Sequence, residues 1–193
     1  VSGATSATAL ANFSRDVPAL APDFVIIQTG TNDVYTDVAI ATTQSNITAL
    51  IAASFAIGAR VLLCTIPPRS DASATAARIA VANNLNAWIR YTAQTIPGVE
   101  LCDVFSFFVN PLSSSNAYIA NYCGSDNIHP AGKGAQAIAP SVQTAMAKLW
   151  RNTPSHNRFV HGITDSVAIT AGNKQLVTNP LMQGTAGSTS GTV

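Results

Sequence analysis

The chain has 193 residues, 47% of them hydrophobic, and its ten Lys+Arg against nine Asp+Glu leave a formal charge of +1. That is enough apolar material for one domain with a sizeable core, and without a Lys/Arg run nothing in it is suited to nucleic acid or anionic lipid. Polar residues interrupt every apolar stretch before the roughly 18–20 residues a membrane span requires, and three cysteines without paired short spacings do not make a zinc site.

In chain order, the start at Val1 rather than Met suggests that the natural N-terminus is missing, so the lack of a signal peptide says little about compartment. "DFVIIQTG" (23–30) is a short apolar run ending in glycine, as expected of a buried parallel strand that exits into a loop. Residues 39–58 are Ala-rich with apolar positions at helical spacing. "ARVLLCTIPP" (59–68) repeats the strand form and is stopped by two prolines. Residues 73–96 form a second helical pattern, with Ile79, Ala82, Leu85, Ile89 and Ala93 on one face and Trp88 read as core. "GVELCDVF" (98–105) is a weaker third strand, and 131–150 is a third helix. Strands alternating with helices indicate an α/β domain with a parallel sheet covered by helices, in which active residues sit in loops at the carboxyl ends of the strands. After Trp150 the composition turns to Gly, Thr and Ser with β-branched residues. Residues 151–193 are therefore expected to be a linker and the start of a β-rich accessory segment, appended to a domain spanning 1–150.

Two stretches carry candidate chemistry. In "SDNIHPAGKG" (125–134), Asp126 lies three positions before His129. One tight turn would let the carboxylate fix the tautomer and orientation of the imidazole, as a histidine general base requires; a solvated loop is the plainer reading. In "TGTNDV" (29–34), Gly30 permits a sharp exit from the strand, and Asn32 can present an amide N–H where an oxyanion would form. Read alone, this stretch is a turn capped by Asn and Asp. Cys64 is expected to be a small core residue, and Cys102 and Cys123 could pair in an oxidising compartment. His156, His161 and Lys133 are read as solvated.

Taken together and in this order, the stretches resemble the SGNH hydrolases, the GDSL-type esterase and lipase family. "PDFVIIQTGTNDV" is similar to the family's third block, Gly-x-Asn-Asp after a strand. "DNIHPAGKGAQAIA" is similar to its fifth block, Asp-x-x-His-Pro before a helix. "VSGATSA" resembles the end of the second block. The resemblance covers about residues 1–150 and implies a flavodoxin-like three-layer sandwich. It implies His129 as general base, Asp126 as its orienting carboxylate, Asn32 and Gly3 as oxyanion donors, Pro130 as a shaper of the histidine loop, and a structural turn role for Asp33. It implies a serine ester hydrolase working through an acyl-enzyme, with no metal or organic cofactor. The family's Gly-Asp-Ser block, which carries the nucleophile, belongs upstream of the second block, so the first strands and the serine are expected to lie outside this chain, and the missing part of the domain is an expected partner. Ser2 matches a second-block position that holds no nucleophile. Ser166, in "GITDSVAITAG", is the alternative nucleophile candidate if the domain is circularly permuted. The polar, low-charge composition and the appended segment favour acetylated carbohydrate as substrate and an extracellular or virion-associated setting. The competing expectation is a carbohydrate-binding or phage-tail structural module that keeps the fold without chemistry.

Overall fold

The computed structural model describes residues 3–151. Its sheet follows from three apolar runs. Strands β1 (Phe24–Ile27), β2 (Arg60–Cys64) and β3 (Val99–Cys102) lie in the order β1-β2-β3. Both pairings are parallel, with Ile27 opposite Leu63 and Leu63 opposite Leu101. The strands are shorter than the apolar runs that announce them. Each stops where the chain must turn toward the carboxyl edge, at Gln28, Thr65 and Asp103.

Because strand side chains alternate between faces, β2 feeds two cores. Val61 and Leu63 point into one, with Phe13, Ile27, Ile47, Leu50, Ile51, Leu85 and Ile89. Leu62 and Cys64 point into the other, with Cys102, Val104, Phe108, Tyr118, Ala145 and Leu149. The first core is covered by α1 (Ser6–Asp16), α3 (Ile40–Ala56) and α4 (Ala76–Thr95), and the second by α5 (Val104–Phe108) and α6 (Gly132–Arg151). A one-turn helix, α2 (Thr31–Tyr35), leaves β1, and a short 3-10 turn (Pro18–Leu20) precedes it. The architecture is the parallel α/β arrangement expected from the alternation. Trp88 packs against the first core and Cys64 is buried in the second.

The helices begin where hydroxyl and carboxylate side chains satisfy their first free N–H groups. Thr5 accepts from the Thr8 amide and Thr75 from the Arg78 amide, each at 3.3 Å, and Asp103 accepts from the Ser106 amide at 3.2 Å. Helix α1 has no counterpart in the sequence reading. Its stretch is rich in Ala, Ser and Thr and buries only Ser6 and Phe13, so its reason for being a helix lies mainly in what Ser6 and Phe13 meet across the fold. The suggested Cys102–Cys123 bridge is not formed, and all three cysteines are free. Cys102 instead lies opposite Cys64 on the neighbouring strand, within the second core, whereas Cys123 sits in the histidine loop with its thiol toward the His129 carbonyl. The expected accessory segment, with Ser166, His156 and His161, lies outside the described residues, as does Ser2.

Candidate active site

Gly30 ends the strand and caps α2 with φ at 108°, a left-handed value that side chains rarely adopt. It is also held closely, since a Cβ there would sit 2.9 Å from Leu85 Cδ2 and 3.3 Å from Thr43 Cγ2. This tight exit sets Asn32 at the carboxyl edge of the sheet, where its Nδ2 donates to the Ala4 carbonyl at 2.8 Å. One Nδ2 hydrogen is thereby used and the other is left for a ligand. The bond also lays the Gly3–Ala4 backbone beside Asn32. Gly3 itself is exposed, with φ at 74°.

The histidine loop is built from its own hydrogen bonds. The Gly124 amide donates to the His129 carbonyl and the Ala131 amide to the Tyr122 carbonyl, both at 2.8 Å, and Asn127 turns the chain with φ at 55°. Two outside tethers hold it. The buried Tyr118 hydroxyl donates to the Ile128 carbonyl at 2.9 Å, and the Ser70 amide donates to the Asn127 carbonyl at 3.1 Å. Ser70 belongs to the loop after β2. There the Arg69 guanidinium pairs with Asp71 and lies 4.1 Å over the Tyr35 ring, and Arg69 holds the Asp71 carboxyl well below the usual carboxylate range.

Within the loop, Asp126 Oδ1 accepts from the Ile128 and His129 amides at 3.0 and 3.1 Å, and Oδ2 meets His129 Nδ1 at 2.7 Å. These bonds, the imidazole first and the two amides after it, pull the Asp126 carboxyl down to about 2. An ionised carboxylate can only accept, so Nδ1 is the nitrogen that donates to it, and in the neutral imidazole this tautomer leaves the Nε2 lone pair to act as base. The imidazole is largely exposed, which leaves that nitrogen reachable.

A cleft of about 530 Å³ joins these pieces. It is lined by Ala4, Thr29, Asn32 and Pro67 on one side and by Ile128, His129 and Pro130 on the other. The two sequence motifs, about a hundred residues apart, therefore face one space. Among the described residues, Ala4 lines the cleft and Gly3 beside it does not.

The profile of the GDSL-like Lipase/Acylhydrolase family matches residues 1–137. This chain belongs to that family. Among solved structures, a GDSL-like lipase from Bacteroides thetaiotaomicron VPI-5482 superposes with a TM-score of 0.68 at 26% identity, over 76% of this chain and 73% of that one. A Bacteroides fragilis NCTC 9343 protein assigned as an acylhydrolase gives 0.68 at 29% identity, over 76% and 71%. An acetyl-xylooligosaccharide esterase from Geobacillus has the same fold, with a TM-score of 0.62 at 20% identity over 75% and 68%. No match was found among curated proteins.

Sequence reasoning does not reach the residues that support this candidate site. Asp33, expected to cap a turn, is fully buried and accepts from Ser6 and Thr43 on two other helices. Tyr118 was not singled out at all. The one available signal is the hydroxyl pair Thr5-Ser6, which follows Gly3-Ala4 and which spacing alone does not connect to residue 33.

Proposed function

We propose that the chain carries the general base and oxyanion donors of an SGNH-type serine ester hydrolase, in which His129 is the base, Asp126 its orienting carboxylate, and the Asn32 Nδ2 and Gly3 N–H the donors. The observation that carries this reading is the Asp126–His129 pair, bonded through Nδ1, on the cleft that Asn32 also lines.

In this mechanism, Nε2 takes the proton of a serine hydroxyl as its oxygen bonds to the ester carbonyl carbon. Negative charge moves onto the carbonyl oxygen and is met by preorganised N–H donors, each worth on the order of 10²–10³ in rate. The tetrahedral adduct collapses, the imidazolium gives its proton to the departing alcohol, and water, deprotonated by the same nitrogen, releases the acid. Asp126 steadies the imidazolium without accepting its proton.

In this reading the serine comes from a strand outside this chain that would sit beside β1, whose carboxyl end leads into the cleft; Ser166 is the alternative source. Among substrates, O-acetyl groups on carbohydrate fit best. An open cleft whose lining includes the small residues Ala4, Thr29, Gly30 and Thr31 suits a small acyl group, and an esterase of acetylated xylooligosaccharides shares the fold. An extracellular or virion-associated setting goes with such a substrate. A second reading is a carbohydrate-binding or tail-structural module that keeps the fold without chemistry.

A serine-reactive fluorophosphonate followed by intact mass and peptide mapping separates these readings. Hydrolysis requires one adduct that is lost in His129→Ala, and the mapped position identifies the serine. A folded chain that forms no adduct, even when extended upstream, overturns the enzyme reading.

A further inference from the structure

We infer that Asp33 is a positioning residue that clamps the two oxyanion donors, Gly3 and Asn32, into one site. The inference rests on the proposed roles of those donors, but its physical basis is independent of any reaction. The Asp33 carboxylate is 1% exposed. It accepts from the Ser6 amide at 2.8 Å and from Thr43 Oγ1 at 3.2 Å, and it takes a short hydrogen bond from Ser6 Oγ. Asn46 Nδ2 in turn donates to Ser6 Oγ at 2.9 Å.

A turn-capping aspartate accepts from amides two or three residues away. These donors stand 27 and 10 positions from Asp33, on α1 and α3. A buried carboxylate whose donors here are a backbone amide and hydroxyls is costly, far more than closing the one-turn helix α2 requires. What it does accomplish is geometric. Asn32 and Asp33 are adjacent, and so are the short segments they grip: Asn32 Nδ2 bonds to the Ala4 carbonyl while Asp33 holds the amide and hydroxyl of Ser6. The Gly3–Ser6 segment is thereby pinned at two points to the Asn32–Asp33 pair. Gly3 is otherwise exposed, and apart from its chain neighbours no described residue comes within 4 Å of the place its Cβ would occupy, so packing by the described residues does not fix that position. The clamp on Ser6 supplies the missing constraint. Carboxylate chemistry is needed because Ser6 N–H, Ser6 O–H and Thr43 O–H all point inward as donors; an amide in place of Asp33 would set an NH₂ against one of them.

The test is NMR of the ¹⁵N-labelled chain, following the Gly3 backbone N–H and the Asn32 side-chain NH₂. Asp33→Asn and Ser6→Ala are compared with Ile89→Val, which loosens the buried core elsewhere and controls for general destabilisation. Both clamp variants should shift the Gly3 and Asn32 signals together and speed exchange of the hydrogen-bonded Asn32 proton, whereas Ile89→Val leaves them in place. If Asp33→Asn does not fold, Ser6→Ala decides alone. Unmoved Gly3 and Asn32 signals in a folded clamp variant overturn the inference. In the polypeptide that hydrolyses p-nitrophenyl acetate, the clamp variants should lower kcat about tenfold or more with KM unchanged, because small misplacement of donors acts on the transition state. Hydrolysis that survives His129→Ala would sink the proposed catalytic roles and leave the NMR result standing, so the two failures are distinguishable.

Discussion

At the scale of single residues, the site depends on a pair that is mostly in water. His129 and Asp126 are 76% and 46% exposed, so their alignment comes from short-range hydrogen bonding rather than from a dry environment. Asp126→Asn keeps the shape but can turn an NH₂ toward Nδ1 and favour the wrong tautomer. Hydrolysis, or phosphonylation of the serine, should fall on the order of 10³–10⁴-fold with the fold intact, as checked by kinetics beside circular dichroism. The pH dependence has a definite sign. The folded carboxyl is depressed to about 2, so its contribution to stability is present above the ordinary carboxylate range and is lost as pH falls toward 2. It stays ionised through mildly acid conditions, so it can orient the imidazole there. A stability difference between the unmodified chain and Asp126→Asn that has already vanished at mildly acid pH, in urea unfolding followed against pH, would contradict this assignment.

At the scale of elements, the loops at the carboxyl edge are held by polar side chains that replace missing ladder bonds. Asn86 on α4 is the clearest case. Its Oδ1 accepts from the Ile66 amide at 2.8 Å and its Nδ2 donates to the Ile66 carbonyl at 3.1 Å, with the side chain 1% exposed. Asn86→Ala strands both groups in the core and should cost about 2–4 kcal/mol, measured by urea unfolding, while loosening Pro67 at the cleft wall. Gly30→Ala meets two penalties, the left-handed backbone and the contact with Leu85, and should cost about 2–3 kcal/mol with a parallel loss of activity. Elements of this kind divide what can be read from sequence. The strands and the helices α3, α4 and α6 were legible because burial imposes its period on residues close together in the chain. The Asp126–His129 pair was legible because three positions suffice to form it. Helix α1, the Asp33 clamp and the Tyr118 tether were not, because each depends on a partner brought near only by folding: Ser6 with Asp33, and Tyr118 with the Ile128 carbonyl.

At the scale of the whole molecule, the sheet of the described residues has an uncovered side. β1 pairs only with β2 there. Ile26 shares a face with its partner Leu62, which is fully buried, yet is itself 54% exposed. A groove of about 280 Å³ runs along the strand between Phe13, Val17, Val25 and Leu50. A large apolar side chain left half in water on the outer described strand is suited to burial against a further element, which makes Ile26 a probe of what lies beside it. In the 193-residue chain, Ile26→Lys should leave the unfolding free energy nearly unchanged, since the side chain already meets water, and should reduce concentration-dependent association in sedimentation velocity, since a charge replaces an exposed apolar side chain. In a polypeptide extended upstream, a serine-bearing strand seated beside β1 would bury Ile26, and the same substitution should then cost about 1.5–3 kcal/mol and impair hydrolysis. A neutral effect in both would mean that the edge of β1 is not where the nucleophile's strand docks, and would shift attention to Ser166.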